Sequence, residues 1–113
     1  MKQVRSRIWI EQEGEVFLGY GRVILLKKVA ETRSISAAAK AIGMSYKKAW
    51  NLINTMNTSS SQPLVITNTG GKDGGGTAVT DYGHKMIEEF ETLNKACEAF
   101  LNEKFNTLKE VKS

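Results

Sequence analysis

A chain of 113 residues has the length of one domain and can bury a core without disulfide or metal staples. Hydrophobic residues make up 41% and charged residues 25%, as in soluble globular proteins, and no apolar run approaches the roughly 20 residues of a membrane span. The net charge of +4 is uneven: residues 1–30 hold six Lys/Arg against three Glu, residues 31–80 five against two acids, and residues 81–113 five against seven, so the basic part is the part able to meet phosphates.

The N-terminus, Met1-Lys2-Gln3-Val4-Arg5, lacks the apolar segment of a secretory signal, and the single Cys97 cannot form an internal disulfide. A cytoplasmic protein is expected. Residues 4–10 alternate, with Val4, Ser6, Ile8 and Ile10 opposite Arg5, Arg7 and Trp9, which predicts a strand. Glu13-Gly14 marks a turn and Glu15–Gly19 a returning strand, so residues 1–20 are expected to form a β-hairpin. A lone hairpin is marginal in water, so it must pack on the helices or on another subunit.

Gly19-Tyr20-Gly21 is expected to break the strand, and a helix is predicted to follow it through about Thr32, with Val23, Leu25, Leu26, Val29 and Ala30 facing the core. Arg22, Lys27 and Lys28 fall on its other side as a solvated face, with phosphate contact as the alternative. Ser36 is expected to cap the next helix, with Ile35 stapled before it. The run Ala37-Ala38-Ala39 and Ala41 keep that helix thin enough for close approach by its successor, and Gly43 is its natural stop.

Ser45 should cap a further helix to Asn57, with Ala49, Leu52, Ile53 and Met56 inward. The outer face carries Lys47, Lys48, Asn51, Asn54 and Thr55, with Tyr46 at its edge. Residues 34–72 contain no Asp or Glu. Asn and Lys suit base edges, Ser and Thr suit phosphates. Residues 21–57 thus read as a helix-turn-helix. Trp50 lies beside Ala49 and Ile53, which favours packing, with a DNA-facing position as the alternative.

Residues 64–80 suggest two short strands, Leu64-Val65-Ile66 and Thr77–Thr80, around the glycine-rich Thr69–Gly76 with Lys72 as its charge: a wing. Gly71-Lys72-Asp73 does not satisfy a phosphate-binding loop, which needs Ser or Thr after the lysine. An oxyanion held by the Gly70–Gly76 amides is a further alternative. From Asp81 to Phe105 one long helix is predicted, capped by Thr80. Its apolar positions exceed what a small core needs, so Met86, Phe90, Leu93, Cys97, Phe100 and Leu101 are assigned to pairing with a second copy. Residues 106–113 are expected to fray.

His84 is the only histidine and is expected to be exposed, while Cys97 is expected to be a buried small hydrophobe. No triad, carboxylate pair or metal spacing is present, so neither catalysis nor a metal site is expected.

Ser34-Ile35-Ser36-Ala37-Ala38-Ala39-Lys40, Ser45-Tyr46-Lys47-Lys48-Ala49-Trp50, Met56-Asn57, Gln62-Pro63-Leu64-Val65, Thr69–Gly76 and Val79-Thr80-Asp81-Tyr82-Gly83 together resemble the N-terminal DNA-binding domain of the ModE family of molybdate-responsive transcription regulators. The resemblance spans residues 21–105. It implies a mainly α fold with short strands: a LysR-like winged helix-turn-helix with an N-terminal hairpin and a long C-terminal dimerisation helix. It also implies a homodimer that binds a pseudo-palindromic operator in double-stranded DNA. The candidate DNA contacts are Ser36, Ser45, Tyr46, Lys47, Lys48, Asn51, Asn54 and Lys72.

Two residues depart from the family: Asp73 replaces a wing glycine, and Arg33 stands where glycine is common. The chain also stops before the family's C-terminal oxyanion modules, so no molybdate or other cofactor is expected, and a separate sensor protein is a candidate partner. The competing function is a protein-interaction or regulatory module that keeps the fold without reading sequence.

Overall fold

The computed structural model describes residues 1–68 and 76–113. Two strands, β1 (Trp9–Gln12) and β2 (Glu15–Gly19), are followed by helices α1 (Tyr20–Thr32), α2 (Ile35–Ala41) and α3 (Tyr46–Thr58). Strands β3 (Val65–Thr67) and β4 (Thr77–Val79) then lead to α4 (Asp81–Phe105) and a last turn of helix, α5 (Lys109–Lys112). This is the mainly helical winged helix-turn-helix arrangement expected from the sequence.

The hairpin is shorter and later than the alternation over residues 4–10 predicts. β1 begins at Trp9, and residues 1–8 are outside any strand. They have no pairing partner, because β2 runs straight into α1 at Tyr20 with no residue left to extend the ladder. Glu13 and Gly14 both take positive φ, 50° and 84°, the two-residue turn that suits strand twist. Ile10 faces Leu18 while Glu11 faces Val16, so Phe17 is an extra residue at a bulge. Leu18, 1% exposed, fastens the hairpin to the core.

α1 is the central element, touching β2, α2, α3, β4 and α4. Its Leu25, Leu26 and Val29 are fully buried, alongside Leu18, Met56 and Leu64. Each such side chain contributes about 1.5–3 kcal/mol relative to exposure. Lys27 on its outer side pairs with Glu91 of α4 at 2.7 Å, and Lys28 with Glu31 at 3.3 Å, while Arg22 is partly buried. Both ion pairs are solvent-exposed and add little to stability.

α4 spans about 37 Å at the ordinary helical rise. Its buried residues, Gly83, Ile87 and Phe90, all belong to the N-terminal part. Beyond them Leu93 is 51% and Phe100 57% exposed. Residues 106–113 do not simply fray: after a turn, Leu108 starts the short α5. No helix among the described residues is long and apolar enough to cross a membrane.

Candidate nucleic-acid interface

The turn between α2 and α3 sets how α3 is presented. Ser34, not Ser36, caps α2: its Oγ accepts from the Ala37 N–H at 3.0 Å. The helix starts two residues earlier than expected because Ile35 is drawn into the core, 7% exposed, as its first residue rather than as a staple. Ser36 is therefore exposed in the first turn of α2, its hydroxyl free of the capping role.

α2 ends as the glycine predicts. Gly43 takes φ +69°, its N–H donates to the Lys40 carbonyl at 3.2 Å, and the Met44 N–H donates to the Ala39 carbonyl at 2.9 Å. This paired bonding is a Schellman stop, and a side chain at Gly43 would be strained. Ser45 caps α3, its Oγ accepting from the Lys48 N–H at 3.1 Å. Ala38, Ala39 and Ala49 are at most 1% exposed, so small side chains from both α2 and α3 are buried in the core.

α3 buries Ala49, Ile53 and Met56, with Leu52 half-buried. Lys47, Lys48, Asn51 and Asn54 are all exposed on the opposite side, and Thr55 is half-buried with its hydroxyl donating to the Asn51 carbonyl at 2.8 Å. Tyr46 is 55% exposed. The structure thus gathers Tyr46, Lys47, Lys48, Asn51 and Asn54 on one helix surface, with Ser45 at its start.

Trp50 does not pack in the core; it is 46% exposed. At about 100° per residue it lies close to a right angle from the Ala49–Ile53–Met56 stripe, on the same side as Tyr46.

The wing is tied to α3 and α1. β3 and β4 pair antiparallel, Val65 opposite Val79 and Thr67 opposite Thr77. The Thr77 N–H donates to the Arg33 carbonyl at 3.0 Å, so the end of α1 serves as a further edge for β4. Arg33 holds φ +60°, a left-handed conformation that explains why glycine suits this position. Asn57 of α3 binds the start of β3: Oδ1 accepts from the Leu64 and Val65 N–H groups at 2.8 and 3.2 Å, and Nδ2 donates to the Val65 carbonyl at 2.9 Å.

Thr80 joins the wing to α4. Its Oγ1 accepts from the Gly83 N–H at 2.9 Å and donates to the Pro63 carbonyl at 2.8 Å. Asn57 and Thr80 are the positioning residues of this region. Thr80 was legible as a cap; Asn57 was not, although an amide at a helix end seven residues before a strand is a usable signal. Lys72, Asp73 and the rest of the Thr69–Gly75 part of the glycine-rich stretch lie outside the described residues.

Of the six residues assigned to pairing, Phe90 is spent on the chain's own core at 3% exposure. Met86 packs half-buried against that core. Leu93 and Phe100 are exposed, Leu101 is intermediate, and Cys97 is intermediate rather than buried. Lys104 Nζ lies 5.7 Å from the centre of the Phe100 ring. His84 is exposed as expected.

Among the described residues no group of three or more His, Cys, Asp or Glu could hold a metal ion. The one buried side-chain atom without a partner among them is Arg22 Nη1, and burial lowers the pKa of that guanidinium.

The transcriptional regulator ModE of Haemophilus influenzae is 39% identical over 98 residues, 87% of this chain and 38% of its own length. The transcriptional regulator ModE of Yersinia pestis is 40% identical over 109 residues, 96% of this chain and 40% of its own. The DNA-binding transcriptional dual regulator ModE of Escherichia coli K12 is 41% identical over 91 residues, 80% of this chain and 35% of its own. The chain spans about two-fifths of the length of these curated relatives. The profile of bacterial regulatory helix-turn-helix proteins of the lysR family matches residues 22–84, which run from α1 through the wing into α4, and the chain belongs to that family.

Proposed function

We propose that this chain is the DNA-binding part of a transcriptional regulator, binding a pseudo-palindromic operator as a homodimer. One observation carries the reading: the exposed face of α3 presents Lys47, Lys48, Asn51 and Asn54 in a segment with no acidic residue from 34 to 72. A helix of this kind enters the major groove, where Asn pairs with adenine edges and Lys with guanine edges or phosphates. Lys47, Lys48, Asn51 and Asn54 are the base and phosphate contacts. Ser36, Ser45, Tyr46 and Lys72 meet the phosphate backbone. The similarity to a DNA-binding regulator of Escherichia coli supports the same reading.

Dimerisation is assigned to the outer stripe of α4, the exposed Leu93 and Phe100 with the half-buried Cys97 and Leu101 beside them. Two copies joined there would present two α3 helices to successive turns of one DNA face. This function uses no catalytic step and no cofactor within the helix-turn-helix. It places the protein in the cytoplasm with the DNA, and a separate sensor protein is its candidate signalling partner.

Selection of bound duplexes from a random pool tests the reading. Enrichment of an inverted repeat is the expected outcome. Binding without sequence preference at physiological salt would favour the protein-interaction module instead.

A further inference from the structure

α3 carries two large apolar groups where only polar ones are needed for hydrogen-bonded readout. Tyr46 and Trp50 are four residues apart and so lie one above the other on the helix, 55% and 46% exposed. They flank the polar face of Lys47, Asn51 and Asn54. Trp9, the other tryptophan, donates its indole N–H to Glu11 at 2.8 Å; among the described residues Trp50 has no such acceptor. Leaving an indole and a phenol ring uncovered forgoes the burial energy that their size offers.

Charge decides what covers them. The segment that carries them, residues 34–72, is basic and holds no Asp or Glu, and the hairpin acids Glu13 and Glu15 meet α3 only at its far end beside Thr55 and Thr58, so the fitting occupant is a polyanion that also offers apolar surface. In the major groove the one apolar group on a base edge is the C5-methyl of thymine. We infer that Trp50 reads thymine by packing against its C5-methyl, at a base step beside those contacted by Asn51 and Asn54. This rests on the operator-binding reading above and deepens it: the preferred half-site contains a thymine selected by apolar contact rather than by hydrogen bonding.

Deoxyuridine differs from thymidine by that methyl alone, so it isolates the contact. Once the preferred duplex is selected, each thymine is replaced singly by deoxyuridine and affinity is measured by fluorescence anisotropy. At one position per half-site the wild-type chain should lose about fourfold, the loss expected from one buried methyl-sized group. Trp50→Ala should bind more weakly and be indifferent to deoxyuridine there, while Trp50→Phe keeps part of the discrimination. Thermal unfolding of each variant checks that the half-exposed site leaves the fold intact.

Equal losses for wild type and Trp50→Ala at every deoxyuridine would overturn the inference. So would a wild type indifferent to all of them, or a loss in Trp50→Phe as large as in Trp50→Ala with no deoxyuridine effect, which would make Trp50 a phosphate donor. A pool that yields no preferred duplex would instead fail the operator reading, and this one with it.

Discussion

The carboxamide of Asn57 pairs with the backbone of Val65 in both directions, Nδ2 donating to its carbonyl at 2.9 Å and Oδ1 accepting from its N–H at 3.2 Å. A side chain at the end of α3 thereby stands in for a neighbouring strand. The wing and α3 become one unit, and the Thr77–Arg33 backbone bond adds the end of α1 to it. The exposed face of α3 and the base of the wing are therefore positioned by one arrangement rather than by two independent ones.

Asn57→Ala leaves the Leu64 and Val65 N–H groups without their side-chain acceptor. The expected loss is about 1–3 kcal/mol of stability, the range for buried donors left unsatisfied. Asn57→Asp restores the acceptor but sets a carboxylate oxygen against the Val65 carbonyl, so it should rescue only part of the loss. Urea unfolding of the three proteins measures both differences.

Gly83 lies inside α4, where alanine would ordinarily be the more stable residue by about 1 kcal/mol. Here a Cβ would run into the Leu64 carbonyl oxygen and lie 2.7 Å from Val79 Cγ1. Gly83→Ala is expected to reverse the helix preference and destabilise by about 1–3 kcal/mol, as overpacking does. A rise in Tm for this variant would show that α4 and the wing can move apart.

Much of this architecture is written in local signals. As helix caps and stops, Ser45, Gly43 and Thr80 act within four residues of themselves, and in that role each does what its chemistry predicts. Misreadings arose where tertiary contact decides. Ile35 moved the start of α2 because the core claims it, and of the two positions open to Trp50 the structure gives the outer one, 46% exposed. The strand over residues 4–8 failed for want of a partner, since alternation sets which face a residue takes but not whether a neighbouring strand exists.

Arg33 holds φ +60° at the end of α1. Left-handed backbone costs a residue with a Cβ about 1–2 kcal/mol, against a glycine entropy penalty of about 0.5–1 kcal/mol. Arg33→Gly should therefore stabilise by up to about 1.5 kcal/mol, and Arg33→Asn by less, since asparagine tolerates this conformation. Thermal unfolding at fixed salt checks the order Gly above Asn above Arg.

Lys47 and Asn51 are neighbours on the exposed side of α3 but should fail differently. Removing a phosphate contact lowers affinity for all sequences and flattens the salt slope by about one unit per contact. Lys47→Ala, as a phosphate contact, is expected to do this. Asn51→Ala should keep the slope and lose about 1–3 kcal/mol of discrimination at one base position. Titrations of selected and scrambled duplexes at several salt concentrations separate the two.

On α4, burial separates association from folding. Leu93 and Phe100 are 51% and 57% exposed, so a charge there meets water in the isolated chain and costs its fold little. Phe90, 3% exposed, belongs to the same stripe but to the inner core. If the outer stripe joins two copies, Leu93→Asp and Phe100→Asp should sediment as monomers with unchanged circular dichroism. Two carboxylates would otherwise be buried in each dimer, at a cost of several kcal/mol per ion. Affinity for the full inverted repeat should then fall towards that for a single half-site, because the second α3 no longer binds as part of the same molecule. Phe90→Asp should unfold the chain instead. Dimers that persist in both outer variants would move the interface away from this stripe.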